Sequence, residues 1–325
     1  MNILITGGAG FIGSHLIREL LKNRKNRITV IDNLSTGRKQ NLNEYLKKIK
    51  FFKVDLKSNK IDKYFKNIDT VYHIAALADI VPSIVKPQEY FNSNVLGTQN
   101  LLNACVKHKI RKIVYTASSS CYGIPKYYPT NEKQSIETLY PYALTKKIAE
   151  DLVLHWGKVY NINVTSLRLF NVYGPKSRTS GTYGAVFGVF LKQKIANHPF
   201  TVVGDGSQKR DFTYVSDVVN ALKLAGKYKK SNQIFNVGSG RTVSINKICG
   251  LLKGKKIYIP KRPGEPDITY ADIRKIKKEL KWKPKIKIEQ GIKILLKNIN
   301  YWKEAPLWTR SKIKVATKDW FKFLS

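Results

Sequence analysis

Apolar positions in the first half of the chain form short unbroken runs separated by longer stretches of helical periodicity. The runs Asn2–Thr6, Arg27–Asp32, Ile49–Val54, Thr70–His73 and Lys112–Ala117 are rich in β-branched residues and read as strands. Between them, Ser14–Lys22 and Tyr90–His108 repeat apolar residues every three or four positions and read as helices. A further helix, Tyr142–Tyr160, leads into a strand at Asn163–Arg168. Strands that are apolar on both faces and alternate with helices belong to a parallel sheet covered on each side. With right-handed crossovers, the expected fold is α/β, a doubly wound Rossmann sheet.

Beyond about Phe170 the alternation breaks. Glycine and proline become frequent, as in Tyr173-Gly174-Pro175, Gly204-Asp205-Gly206 and Arg262-Pro263-Gly264-Glu265-Pro266. The run Gln233-Ile234-Phe235-Asn236-Val237-Gly238 reads as one more strand returning to the large sheet. The expected division is therefore a Rossmann domain of residues 1–171 plus a returning segment at about 208–238. Residues 172–207 and 239–325 form a smaller C-terminal lobe over the mouth of the sheet. From Asn298 onward, Trp302, Trp308, Trp320, Phe321 and Phe323 are expected to pack against the body.

At 325 residues the chain has room for two such lobes. Its 59 Lys and Arg against 22 Asp and Glu give a net charge of +37. These cations are spread along the whole chain, with only short runs such as Lys253–Lys256 and Lys275–Lys278. No basic tail, zinc spacing or recognition-helix signature accompanies them. They read as a solvated surface that favours an anionic substrate, not as a nucleic-acid interface. No apolar run reaches the ~18 residues of a membrane span, and the opening residues read as a buried strand instead of a leader. Cys105, Cys121 and Cys249 are widely spaced and odd in number, so neither disulfides nor a metal site are expected. A reduced, cytoplasmic setting fits.

Candidate chemistry begins directly after the first strand, at Thr6-Gly7-Gly8-Ala9-Gly10-Phe11-Ile12-Gly13-Ser14-His15. Gly7, Gly10 and Gly13 suit a tight turn, a close backbone approach and helix–sheet packing. The helix opening at Phe11 and Ile12 points its free N–H groups at a pyrophosphate. Asp32, at the end of the second strand with Asn33 beside it, lies where an acid meets the ribose hydroxyls of a dinucleotide. A carboxylate there repels a 2′-phosphate and favours NAD over NADP, an effect opposed by nearby Arg38. Asp55 either meets the adenine amino group, with Leu56 alongside, or caps the turn that follows; both readings stay open.

Tyr142 and Lys146 lie four residues apart, on one face of a helix. An ammonium ~5 Å from the phenol, at an effective dielectric of ~20, contributes roughly 3 kcal/mol, or about two pK units, toward the phenolate. Tyr142 is therefore a candidate general base. Its partner segment, Ser118-Ser119-Ser120, ends a strand on the edge where parallel sheets bind ligands.

Taken with His73-Ile74-Ala75-Ala76, Asn94-Val95-Leu96-Gly97-Thr98, Leu169-Phe170-Asn171-Val172-Tyr173-Gly174-Pro175, Arg210-Asp211-Phe212 and Arg262-Pro263-Gly264-Glu265, these motifs resemble the extended short-chain dehydrogenase/reductase family. They look most like its nucleotide-sugar epimerases. The resemblance implies that Ser118 hydrogen-bonds the reacting sugar oxygen, that Tyr142 is the base and that Lys146 activates it. It implies a dinucleotide site that includes Ala75, Asn94 and Lys146, the last two at the nicotinamide riboside. Ser83 and Ser119 fall at the sugar, Asn171 at the diphosphate, and Arg210 and Arg262 as its clamp. Guanidinium groups suit bidentate phosphate recognition on independent grounds.

In dehydratase relatives Asp and Glu follow the catalytic hydroxyl; here Ser119 and Ser120 do, which leaves no acid for elimination. The resemblance then implies NAD-dependent 4-epimerisation of a UDP-sugar. Dehydratase, decarboxylase, 4-keto reductase and non-enzymatic NAD-binding readings stand as alternatives. UDP-glucose, UDP-N-acetylglucosamine and UDP-glucuronate stay open. Thr269, matching the position that gates sugar size, is small enough for an N-acetyl group. The hydroxyl-rich loop Lys176–Gly184, with Arg178, suits a C6 carboxylate. The helices Tyr90–His108 and Tyr142–Tyr160 match those that pair relatives into homodimers.

Overall fold

The computed structural model of the protein describes residues 1–58, 60–177 and 184–324. At its centre is a seven-stranded sheet, parallel throughout. Six strands are β1 (Asn2–Thr6), β2 (Arg27–Asp32), β3 (Ile49–Lys53), β4 (Thr70–His73), β5 (Lys112–Ser118) and β6 (Asn163–Leu169). The seventh, Gln233–Val237, returns beside β6, so the spatial order is Gln233–Val237, β6, β5, β4, β1, β2, β3. The order reverses between β1 and β4, and the carboxyl ends of these strands open a crevice there. Ile3, Leu4 and Ile5 are fully buried because both faces of the sheet are covered. On one face Ile3, Ile5, Leu16, Val218 and Phe190 share a core that extends to Trp282 and Trp302; on the other, Leu4, Phe65, Leu101, Ile113 and Val153 form a second.

Helix α1 (Phe11–Leu20) follows the glycine turn. The region expected as one helix, Tyr90–His108, starts earlier and changes pitch. After α2 (Ile80–Val85), α3 (Pro87–Phe91) runs through a π-helical stretch, Asn92–Leu96, into α4 (Gly97–Lys107). Pro87 opens α3, where its missing N–H costs nothing. The expected Tyr142–Tyr160 helix is α5 (Pro141–Val159), again opened by a proline.

Helix α5 is fixed to the sheet by a buried polar network. Glu150 of α5 accepts two hydrogen bonds from Arg168 Nε, at 3.2 and 3.1 Å, and one from Nη2 at 2.7 Å. The Ser166 hydroxyl donates to the same carboxylate at 2.7 Å. Arg168 Nη1 donates to the Tyr122 hydroxyl, which donates to Asn236 Oδ1 on the returning strand. Low dielectric strengthens each of these bonds, provided that none is left open.

The rest of the chain forms three two-stranded ladders: Val172–Tyr173 with Thr213–Tyr214, Phe200–Val203 with Lys256–Ile259, and Lys209–Arg210 with Val243–Ser244. Asp211 ties this lobe to the sheet. Its fully buried carboxylate accepts from the backbone N–H groups of Ser239, Gly240 and Ala271 and from the Ser239 hydroxyl. Burial pushes the acid up to about 6 in spite of these donors. No described helix is long and apolar enough to cross a membrane.

Candidate active site

A cleft of about 580 Å³ runs along the carboxyl edge of the sheet and under the smaller lobe. At one end lies the glycine turn. Gly7 has φ of +71°, and a Cβ there would meet the backbone nitrogen of Ala75 at 2.7 Å. A Cβ on Gly13 would sit 2.3 Å from the Gly7 carbonyl oxygen, so Gly13 is packed beneath the turn and does not line the cleft. Gly7, Gly10, Phe11 and Ile12 do line it. Helix α1 begins there with no side-chain cap and no acidic residue in its first turn. Its N–H groups and dipole therefore form a cradle for an anion. A dinucleotide pyrophosphate fits that cradle.

Asp32, Asn33, Asp55, Leu56 and Ala75 line the same end. The Asp32 carboxylate accepts from the backbone N–H groups of Ala9 and Leu34, and burial raises its pKa. Asp55 closes the turn that follows it by accepting from the Lys57 N–H at 2.9 Å, and it also lines the cleft, with Asn33 Nδ2 at 3.1 Å.

Ser118, at the last position of β5, and Tyr142 and Lys146 in the first turns of α5 converge in the middle of the cleft, with Ser119 and Ser120 beside them. Burial raises the Tyr142 phenol, and the hydrogen bond with the Ser118 hydroxyl draws it back toward ionisation. Burial pulls the Lys146 ammonium down to about 7, against the attraction of Glu150 one turn on. Lys146 Nζ lies 4.3 Å from the Tyr115 ring centre. The expected depression of Tyr142 by its lysine neighbour is thus corrected: burial dominates at both groups, and the group that draws the phenol back is Ser118.

Asn94 also departs from expectation. It is buried in the π-helical stretch and does not line the cleft. Its amide donates to the Leu77 carbonyl and the Thr145 hydroxyl, and its oxygen accepts from the Leu77 N–H. With its polar atoms engaged, it braces the loop after β4 against α5 beside Lys146. Ser83 is fully buried, donates to the Ile80 carbonyl and is likewise absent from the lining. Thr269, expected as the sugar gate, does not itself line the cleft. Its hydroxyl donates to Asn171 Oδ1 at 2.9 Å and accepts from the Asp211 N–H, so it orients Asn171, which does line the cleft. Of the loop expected at a C6 carboxylate, Lys176, Ser177 and Gly184 line the cleft; Arg178 and residues 179–183 lie outside the described residues.

At the far end Arg210 and Arg262 approach one carboxylate. Arg210 Nη2 is 2.8 Å from Glu265 Oε1, and Arg262 Nη1 is 3.6 Å from Glu265 Oε2. The cluster keeps one net positive charge and faces the cleft. Among the lining residues to which the sequence assigned no role are Glu265, Tyr301 and Trp320. Glu265 belongs to the Arg262-Pro263-Gly264-Glu265 motif and Trp320 to the aromatics expected to pack, whereas Tyr301 carries no signal of its own in the sequence.

Among the described residues, no cluster of His, Cys, Asp or Glu has the arrangement of a metal site. The model of the NAD dependent epimerase/dehydratase family matches residues 3–238. The chain belongs to this family. Within it, the chain is similar to a putative UDP-glucose 4-epimerase of Methanocaldococcus jannaschii, 38% identical over 300 residues that cover 90% of this chain and 96% of that one. The structure is similar to that of the UDP-glucose 4-epimerase from Thermotoga maritima with UDP-glucose, at 31% identity and TM-score 0.87, covering 92% of this chain and 99% of that one. It is also similar to the UDP-glucuronic acid 4-epimerase from Bacillus cereus in complex with UDP-glucuronic acid and NAD, at 32% identity and TM-score 0.85, with the same coverage of 92% and 99%.

Proposed function

We propose that the protein is an NAD-dependent UDP-sugar 4-epimerase. One observation carries the reading: Ser118, Tyr142 and Lys146 meet between an anion cradle at α1 and the Arg210–Arg262 cluster, with Ser119 and Ser120 where elimination would need acids. The relatives named as 4-epimerases support it.

Gly7, Gly10 and the N-terminus of α1 hold the dinucleotide pyrophosphate, and Asp32 meets its ribose. When bound, NAD would supply a hydride acceptor and donor for C4 of the sugar. Tyr142 takes the proton of the C4 hydroxyl as the 4-keto sugar forms and gives it back to that oxygen when the hydroxyl is restored, while Ser118 holds the oxygen and favours ionised Tyr142. Lys146 adds positive charge beside the base. Asn171, Arg210 and Arg262 hold the diphosphate, so the 4-keto sugar turns over without leaving.

The test is incubation with UDP-glucose, UDP-N-acetylglucosamine and UDP-glucuronate, without added reductant, followed by NMR. A product inverted at C4 is expected from at least one sugar. Loss of water or carbon dioxide, or stoichiometric consumption of reduced cofactor, would replace epimerisation by the corresponding reaction.

A homodimer through α3–α4 and α5 is part of the proposal. Phe91, Leu96, Leu144 and Val159 expose apolar side chains on these adjacent elements, an unfavourable arrangement for a monomer. Light scattering should give twice the chain mass, and Leu144→Asp should shift it to one; a monomeric intact protein refutes the dimer. Three free, buried cysteines support a reducing, cytoplasmic setting.

A further inference from the structure

The segment after Asn298 supplies the cleft with two aromatic rings, one at each end. Tyr301 stands at the dinucleotide end. Its hydroxyl donates to Asn41 Oδ1 at 3.2 Å, and the Arg38 guanidinium lies 5.9 Å from its ring centre. Trp320 stands at the other end, on the short helix Lys318–Phe323, which packs on α2. Its ring is 2% exposed and lies 6.4 Å from that of Tyr140. Its indole N–H donates to the Pro263 carbonyl at 2.7 Å, and the Arg262 guanidinium lies 5.4 Å from its ring centre.

These contacts converge on two consecutive residues, Arg262 and Pro263. The indole fixes the backbone just after the arginine and offers its π face to the guanidinium. Glu265, on the other side, is shared with Arg210, so it holds Arg262 weakly at 3.6 Å. The indole adds a π contact and a fixed backbone to whatever else holds the guanidinium, and an arginine ordered before an anion arrives loses less affinity to ordering on binding.

We propose that Trp320 is a positioning residue of the nucleotide site, holding Arg262 toward the diphosphate. This rests on the UDP-sugar reading above. Trp320 acts through Arg262, and the C-terminal segment is thereby a working part of the substrate lobe, not only a packing element.

The test is calorimetric titration of the NAD-loaded protein with UDP, so that sugar identity does not enter. Trp320→Leu, which removes the π face and the indole N–H, should weaken UDP about tenfold, the scale of a partly desolvated cation–π contact. Trp320→Phe, which keeps an aromatic face, should stay within about threefold. NAD affinity should be unchanged in both, which also shows that the fold is intact. In an Arg262→Ala background, Trp320→Leu should add less than about twofold, because the residue through which it acts is gone. Should Trp320→Leu lose NAD as well, Trp320→Met, closer in volume, makes the same measurement. An unaltered UDP affinity in the leucine or methionine variant overturns the proposal. So does a tenfold loss that persists without Arg262. No UDP binding by the intact protein would instead sink the UDP-sugar reading, and the role of Trp320 with it.

Discussion

Tyr142→Phe should lower turnover about 10²–10⁴-fold, the span that general acid–base catalysis contributes. The phenol oxygen is the part of this side chain that faces Ser118 and the cleft; the ring itself packs edge-on against Tyr90, with centroids 6.4 Å apart. Phenylalanine keeps the ring contact and removes only the oxygen. The variant should therefore hold NAD and UDP as the parent does and melt within a few degrees of it. Single-turnover measurement of enzyme-bound NAD reduction on mixing with the UDP-sugar isolates the step. A variant that reduces its cofactor at the parental rate would remove Tyr142 from the chemistry. Because burial holds the phenol above its ordinary pKa, the same measurement on the parent should accelerate as pH rises from neutrality, until another group fails.

Glu150→Gln should destabilise the protein by about 3–5 kcal/mol, the cost of leaving one partner of a buried ion pair uncompensated. Arg168 is 3% exposed and directs Nε and Nη2 to the Glu150 carboxylate. Glutamine can accept one or two of those hydrogen bonds but leaves the guanidinium charge buried. Denaturant unfolding followed by fluorescence provides the check, with the double variant Glu150→Leu, Arg168→Met as its control. Replacing both charges by apolar groups should recover most of the loss. A single variant as stable as the parent would mean that water reaches the pair. A catalytic effect should accompany the loss, since Glu150 favours the charged form of Lys146, whose pKa lies at about 7. Without it, a smaller fraction of Lys146 is cationic at neutral pH.

Much of this architecture was legible because parallel strands announce themselves. β1, β2 and β4 have the bounds read from their apolar runs, and Gln233–Val237 returns to the sheet as its β-rich sequence suggested. The glycine turn and the serine–tyrosine–lysine cluster were also visible, because each needs particular residue types at fixed spacing. Side-chain direction was not visible. Asn94, Ser83 and Thr269 are polar residues near the cleft whose hydrogen-bonding atoms are spent on the protein itself. Their roles depend on which neighbour lies within 3 Å, and spacing along the chain does not carry that. Trp320 shows the converse: an aromatic read as packing does pack, and one face of it still lines the cleft.

Arg210 and Asp211 are neighbours in sequence with opposite assignments. One side chain lines the cleft; the other is fully buried and takes four donors from residues 239, 240 and 271. The main chain at Arg210 is consequently immovable without breaking the contacts of Asp211 with residues 239, 240 and 271. Descendants of this sequence that acquire a new sugar preference should therefore do so by exchanging side chains around a fixed anchor, while insertions and deletions near residue 211 are purged as folding defects.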